Sequence, residues 1–300
     1  MTESIFDRIS RVFVTTERVK KAMLHINFVW EHGRSVDNAM GVLLLGQPRS
    51  GKTRIVKRWA AAKLGLDDYP NKLKTALPVA YIEIKPKCSL TSFCGDVLAG
   101  LGDPNPDYGA WPAKTRRIYE AVERQKRLIL ILDEMHRLID ANTAKVNRDV
   151  GQWITAFLNA GLCSLIMSGE ESAERLFESV VNREEPNNLQ LGQRTFGAFY
   201  LTPHDWNEDE DRQEFRAFLH ELDKCLSLLR RSGLGASLNI ALRIHQASGG
   251  YLGRAARLVA TAYICAERKS CPAIGFEELA EAVDLLSIGD ERKRINPFRV

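Results

Sequence analysis

Several things are scarce in this sequence, and each shortage removes a class of function. Six cysteines stand at 88, 94, 163, 225, 265 and 271, with no CxxC pair and no cysteine–histidine grouping at zinc spacing. Neither a disulfide scaffold nor a zinc module is expected, and the thiols read as structural and reduced. No uninterrupted apolar run approaches the ~18 residues of a membrane span. The opening MTESIFDRIS lacks the apolar segment of a secretory signal. The expectation is a soluble, cytoplasmic protein. Excess charge of one sign is missing too. Lys and Arg number 42 against 38 Asp and Glu, a net charge of +4, which permits a nucleic-acid surface without demanding one. No Ser-His-Asp set, metal cluster or thiol nucleophile rises above background.

What is present is 300 residues of ordinary globular composition, 45% hydrophobic, enough for a large core. The order of patterns predicts a parallel sheet flanked by helices, an α/β fold, followed by an all-helical region. Residues 5–32 carry apolar positions at helical spacing, with Thr15, Thr16 and Glu17 as a break and cap. Strands are predicted at 41–45, 79–84, 128–132, 162–167 and 196–201. Helices are predicted after the first strand, over 90–101 and 114–126, and around Trp153 and Phe157. Beyond Thr202 and Pro203 only helical patterns remain. Three parts follow: an N-terminal helical arm, 1–38; an α/β domain, 39–203; and a helical lid domain, 204–300.

The most specific motif is Gly46, Gln47, Pro48, Arg49, Ser50, Gly51, Lys52 and Thr53, which fits G-x-x-x-x-G-K-S/T without a mismatch. It follows an apolar strand and opens a helix, as a phosphate loop must. Its glycines let backbone N–H groups wrap a phosphate, and the helix points its positive end at the same anion. Lys52 would reach the β- and γ-phosphates of ATP, and the Thr53 hydroxyl would hold Mg²⁺. The second motif is the apolar strand ending in Asp133 and Glu134. Asp133 would hold Mg²⁺ through water, and Glu134 would polarise the attacking water. Many strands end in acids, so this pair gains its weight from the loop upstream. Three more residues are candidates: Arg254 reaching the γ-phosphate from the lid, Arg194 acting on a neighbour's ATP, and Ser168 contacting the γ-phosphate or the water. A solvated helix arginine and a turn serine are the plain alternatives for Arg254 and Ser168. His136 reads as packing at the strand end, and Trp111, Trp153 and Trp206 as core or interface residues.

The order of these parts resembles an AAA+ ATPase of the initiator type, and more narrowly the TniB/TnsC family of transposition ATPases, relatives of the phage Mu B protein. The resemblance rests on Leu43–Thr53, on Ala80–Ile84 with Pro86, Lys87 and Cys88, and on Leu130–Leu138. Gln193–Phe196 and Gly250–Arg254 complete it. It implies a bacterial cytoplasmic ATPase that uses ATP and Mg²⁺ and assembles as a ring or helical filament on double-stranded DNA with little sequence preference. It also implies recruitment of a DDE transposase, with a target-selection factor as a further partner. By the same resemblance Lys52, Thr53, Asp133 and Glu134 carry the nucleotide chemistry, Arg194 is the interface arginine and Arg254 the lid sensor. The DNA face is implied at Lys85, Lys87, Lys114, Arg116 and Arg117. A solvated helix face is the plain alternative for the basic clusters at 54–63, 114–127 and 292–294. The chain departs from the family where the fourth strand ends, with Ser168 and Gly169 in place of a Gly-Thr pair. Two other functions stay open: a replication initiator or helicase loader, and a signalling adaptor ATPase that binds no DNA.

Overall fold

A computed structural model describes residues 4–33, 39–66, 78–86, 89–125, 129–140, 144–176, 195–286 and 295–299. Two compact units are present, and each is discontinuous in sequence. One comprises 17–48 and 52–201, the other 1–16, 49–51 and 202–300.

The first unit is built on five parallel strands: β1 (Gly41–Leu45), β2 (Val79–Glu83), β3 (Ile129–Asp133), β4 (Ser164–Gly169) and β5 (Thr195–Tyr200). They lie in the order β2-β3-β4-β1-β5, every pair parallel. Strands β1, β3 and β4 are buried at every position, as apolar runs covered on both faces should be. Each begins or ends within two residues of the run that the sequence predicts. The helices of this unit are α2 (Glu17–His32), α3 (Lys52–Lys63), α4 (Leu90–Gly100), α5 (Trp111–Gln125), the single turn α6 (Arg137–Asp140) and α7 (Ala144–Asn159). Helix α4 starts where Ser89 and Ser92 close a capping box, each hydroxyl accepting from the other's backbone N–H. Phe93, Trp153 and Phe157 form a buried aromatic layer, with Trp153 stacked on Phe157 at 5.1 Å. Truncating Phe157, fully buried in this core, would cost about 3–5 kcal/mol.

The second unit gathers α1 (Ile5–Arg11) with α8 (Asp209–Lys224), α9 (Leu238–Ser248), α10 (Leu252–Arg268) and α11 (Phe276–Leu286). Ile5, Ile9 and Val12 enter its core beside Phe215, Leu219, Ala255 and Val259. Arg8 fixes α1 by donating to the Cys225 carbonyl at 3.2 Å, to the Ser227 hydroxyl, and to the Tyr263 hydroxyl at 3.2 Å. The N-terminal segment, a single arm 1–38 in the sequence reading, therefore divides at Thr16. Helix α1 buries its apolar face in the helical unit, whereas α2 packs beside the sheet. There Trp30 meets Trp59 edge-on at 5.6 Å, and the Trp59 indole donates to Asn27.

Candidate functional site

In an open parallel sheet the chemistry gathers beyond the carboxyl ends of the strands. Strand β4 lies between β1 and β3, so the phosphate loop after β1 and the acids after β3 flank the end of β4. The loop turns through Gly51, whose φ of +104° suits a residue without a Cβ. Lys52 opens α3 at 8% exposure, its ammonium donating to the carbonyls of Gly46 at 2.7 Å and Gln47 at 3.0 Å. Burial pulls this lysine below its ordinary value, and the charges of Glu134, Asp133, Glu170 and Glu171 act in the other direction. A buried cation held over a turn of backbone amides is a site built for an anion.

Asp133 is 1% exposed, and protein donors engage both its oxygens. Oδ1 accepts from the Ser168 hydroxyl and from the Glu134 N–H at 2.9 Å. Oδ2 accepts from the Tyr81 hydroxyl at 2.6 Å. Parallel pairing sets Tyr81 opposite Ile131, so Asp133 lies two positions further along β3 and on the same face. Tyr81 belongs to the site, and the sequence reading missed it. Ser168 likewise stands beside the carboxylate, its hydroxyl given to Asp133.

Glu134 has φ +64°, one of only three non-glycine residues with left-handed backbone among those described; Arg49 of the phosphate loop is another. Such backbone costs about 1–3 kcal/mol and concentrates at functional sites. The Glu134 carboxylate lies between two bases. His136 Nε2 is 3.4 Å from its Oε2 and 3.6 Å from Glu170 Oε1. Arg137 Nε is 3.6 Å from the same Oε2, while its Nη1 lies 3.0 Å from Glu83 and donates to the Ile84 carbonyl at 2.7 Å. His136 therefore bridges two acids at the strand end.

Arg254 opens α10 and stacks over the Tyr251 ring at 4.4 Å. Within the helical unit it is gathered with Arg257 and Arg49. Burial first, then the charges of Arg257 and Arg254, hold the Arg49 guanidinium below its ordinary value. A Cβ at Gly253 would lie 2.3 Å from the Arg49 carbonyl oxygen, so this approach needs glycine.

The basic candidates separate by environment. Lys85 is largely exposed, its ammonium 3.4 Å from Asp96, and Arg116 is exposed beside Glu120. Lys114 corrects the sequence reading: it is 2% exposed, its ammonium donates to the Thr91 carbonyl, and no phosphate could reach it. Arg117 is also turned inward. It pairs with Asp103 and donates to the carbonyls of Tyr108 and Asn105, clamping the loop before α5. Lys87 and Arg194 lie outside the described residues.

One carboxylate and one hydroxyl suit a magnesium ion, which takes few protein ligands and completes its shell with phosphate and water. Among the described residues no group of three or more His, Cys, Asp or Glu could hold a metal without such help. The Cys94 thiol, pushed up to about 11 by burial, is no nucleophile. No helix among the described residues is long and apolar enough to cross a membrane.

Residues 8–189 match the model of a family described as Bacterial TniB protein. No curated protein matches the chain. Among solved structures, Cdc6p from Pyrobaculum aerophilum aligns at TM-score 0.64 and 15% identity over 92% of this chain and 70% of that one. Aeropyrum pernix ORC1, solved in complex with DNA, aligns at 0.65 and 18% over 95% and 70%. Thermotoga maritima RuvB aligns at 0.52 and 18% over 94% and 75%. The shared fold is that of AAA+ P-loop ATPases.

Proposed function

The chain belongs to the TniB family, with the fold of an AAA+ ATPase, and from that premise we propose that it regulates DNA transposition. In this reading it assembles with ATP on double-stranded DNA of arbitrary sequence and recruits or activates a DDE transposase. Hydrolysis then resets the assembly. The ATPase part of the reading is carried by the buried Lys52 ammonium within the field of Asp133 and Glu134, and the transposition part by the family match over residues 8–189.

Each residue has a definite task. Backbone amides from Gly46 to Lys52 cradle the phosphates, and Lys52 neutralises the β- and γ-phosphate oxygens. Thr53 and Asp133 would hold Mg²⁺, which when bound offsets the charge that develops on the phosphoryl oxygens. Glu134 orients the attacking water, and His136 and Arg137 restrain its carboxylate. Arg254 senses the γ-phosphate from its helix start, and Arg194 completes a neighbour's site in a homo-oligomer, a ring or a filament. Lys85, Lys87 and Arg116 meet DNA phosphates, an interaction that salt weakens steeply. ATP drives such a switch only through its different affinities for the assembled and free states.

The test is binding of purified protein to duplex DNA with ATP, ADP or a slowly hydrolysed analogue at low and moderate salt, with particles imaged by negative stain. Coating of arbitrary DNA with ATP, lost at higher salt, supports the reading. ATP binding with no DNA association in any nucleotide state refutes it and leaves an adaptor ATPase.

A further inference from the structure

Among the described residues Oδ2 of Asp133 has one protein donor, and that donor reaches back to the helix that carries Thr53. On the Oδ1 side the carboxylate is fixed by β4 and by its own strand end, through Ser168 and the Glu134 N–H. A carboxylate held at one oxygen can still turn about its broad terminal torsion. The Tyr81 hydroxyl at 2.6 Å removes that freedom. Tyr81 is itself engaged from the other side, because the Lys57 ammonium lies over its ring, 4.7 Å from the centroid. Lys57 follows Thr53 by four residues on α3, so the two share a helix face. A cation over the ring also draws density from the phenol and makes its O–H a stronger donor to a carboxylate. The contacts therefore run continuously from α3 through Lys57 and Tyr81 to Asp133.

We propose that Tyr81 is a positioning residue of the nucleotide site, the brace that fixes Asp133 relative to Thr53 and so sets how tightly the divalent ion is held. The proposal rests on the reading that Asp133 takes a metal with ATP, and its test separates the two. With three donors already on its two oxygens, Asp133 keeps one lone pair for the ion it would hold, and the direction of that lone pair sets the strength of the contact. Partners that orient a metal-holding group alter metal affinity by about 10–100-fold when removed.

Tyr81→Phe deletes one oxygen and keeps the ring beneath Lys57. The probe is Mn²⁺, followed by its paramagnetic resonance in the complex of protein with a slowly hydrolysed ATP analogue. Nucleotide binding is measured separately in chelator. Tyr81→Phe is expected to weaken Mn²⁺ uptake about tenfold and to leave metal-free nucleotide binding unchanged. Lys57→Met, which spares the hydroxyl, is expected to weaken it about threefold; it carries the test should Tyr81→Phe not fold. Asp133→Asn weakens uptake by itself, and adding Tyr81→Phe to it brings no further loss. Wild-type Mn²⁺ uptake in a folded Tyr81→Phe or Lys57→Met protein, or a full additive loss in the double variant, overturns the brace. Wild-type uptake in Asp133→Asn instead overturns the metal reading beneath it.

Discussion

Arg137→Ala removes a guanidinium that serves three acceptors, and the geometry says how much each contact is worth. The pair with Glu83, 55% exposed on the acid side, contributes at most about 1 kcal/mol because water competes for both charges. The bond to the partly buried Ile84 carbonyl at 2.7 Å is charge-assisted and contributes roughly 1.5 kcal/mol. The pair with Glu134, both side chains 28% exposed at 3.6 Å, adds about 0.5 kcal/mol. The variant should therefore lose about 2–3 kcal/mol of stability, read as a lower urea midpoint. Its effect on turnover is separate. Arg137 engages the Glu134 oxygen that would otherwise polarise water, so its removal should raise basal ATP hydrolysis. About 0.5 kcal/mol of released restraint corresponds to roughly twofold. Glu83→Gln leaves the guanidinium free to close on Glu134 and should lower the same rate. Steady-state phosphate release at saturating ATP, without DNA, reads both. Shifts in the same direction, or an unchanged rate in a folded Arg137→Ala protein, would refute a restraining role.

Three further outcomes follow from the geometry. Ser168→Ala strips one of the donors from Asp133 and should raise the Mg²⁺ needed for half-maximal hydrolysis several-fold, about 1 kcal/mol. A lower kcat at an unchanged Mg²⁺ requirement would return Ser168 to the phosphate. Glu134→Gln should keep ATP binding and lose at least about a hundredfold in turnover; normal turnover would remove Glu134 from its role. Burial pushes the Asp103 carboxyl up, but the Asn105 N–H and the Arg117 guanidinium outweigh it and hold the group below its ordinary value. A depressed carboxylate stabilises above its unfolded value and loses that contribution as pH falls through the folded one. Proteolysis of the loop at 102–110 should thus stay constant down to about pH 4 and rise only below it. Arg117→Ala should open the loop at neutral pH, and resistance to cleavage in that variant would show that other contacts hold it.

The strands were legible because β1, β3 and β4 are buried along their whole length, leaving apolar runs that need no partner to be recognised. The phosphate loop was legible because all its chemistry lies within eight consecutive residues. Tyr81 was not, because its partner is found only through the register of β2 on β3. Lys114 misled for a similar reason. Its ammonium is buried beside Gly95, where a Cβ would stand 3.1 Å from it, a fit visible only once α4 and α5 are packed. Nor could the sequence divide 1–33 at Thr16, since α1 and α2 are both amphipathic and nothing local names the surface that each covers.

That division has a consequence for synthesis. Helix α1 leaves the ribosome before the sheet unit, yet the residues that receive it, among them Tyr263 on α10, are made after that unit. Chains emerge at about 5–20 residues per second and fold largely from the N-terminus. Ile5, Ile9 and Val12 must therefore wait, uncovered, through translation of the whole sheet unit. A nascent chain stalled before α10 should expose this helix to a chaperone or to a protease, and release of the finished chain should hide it.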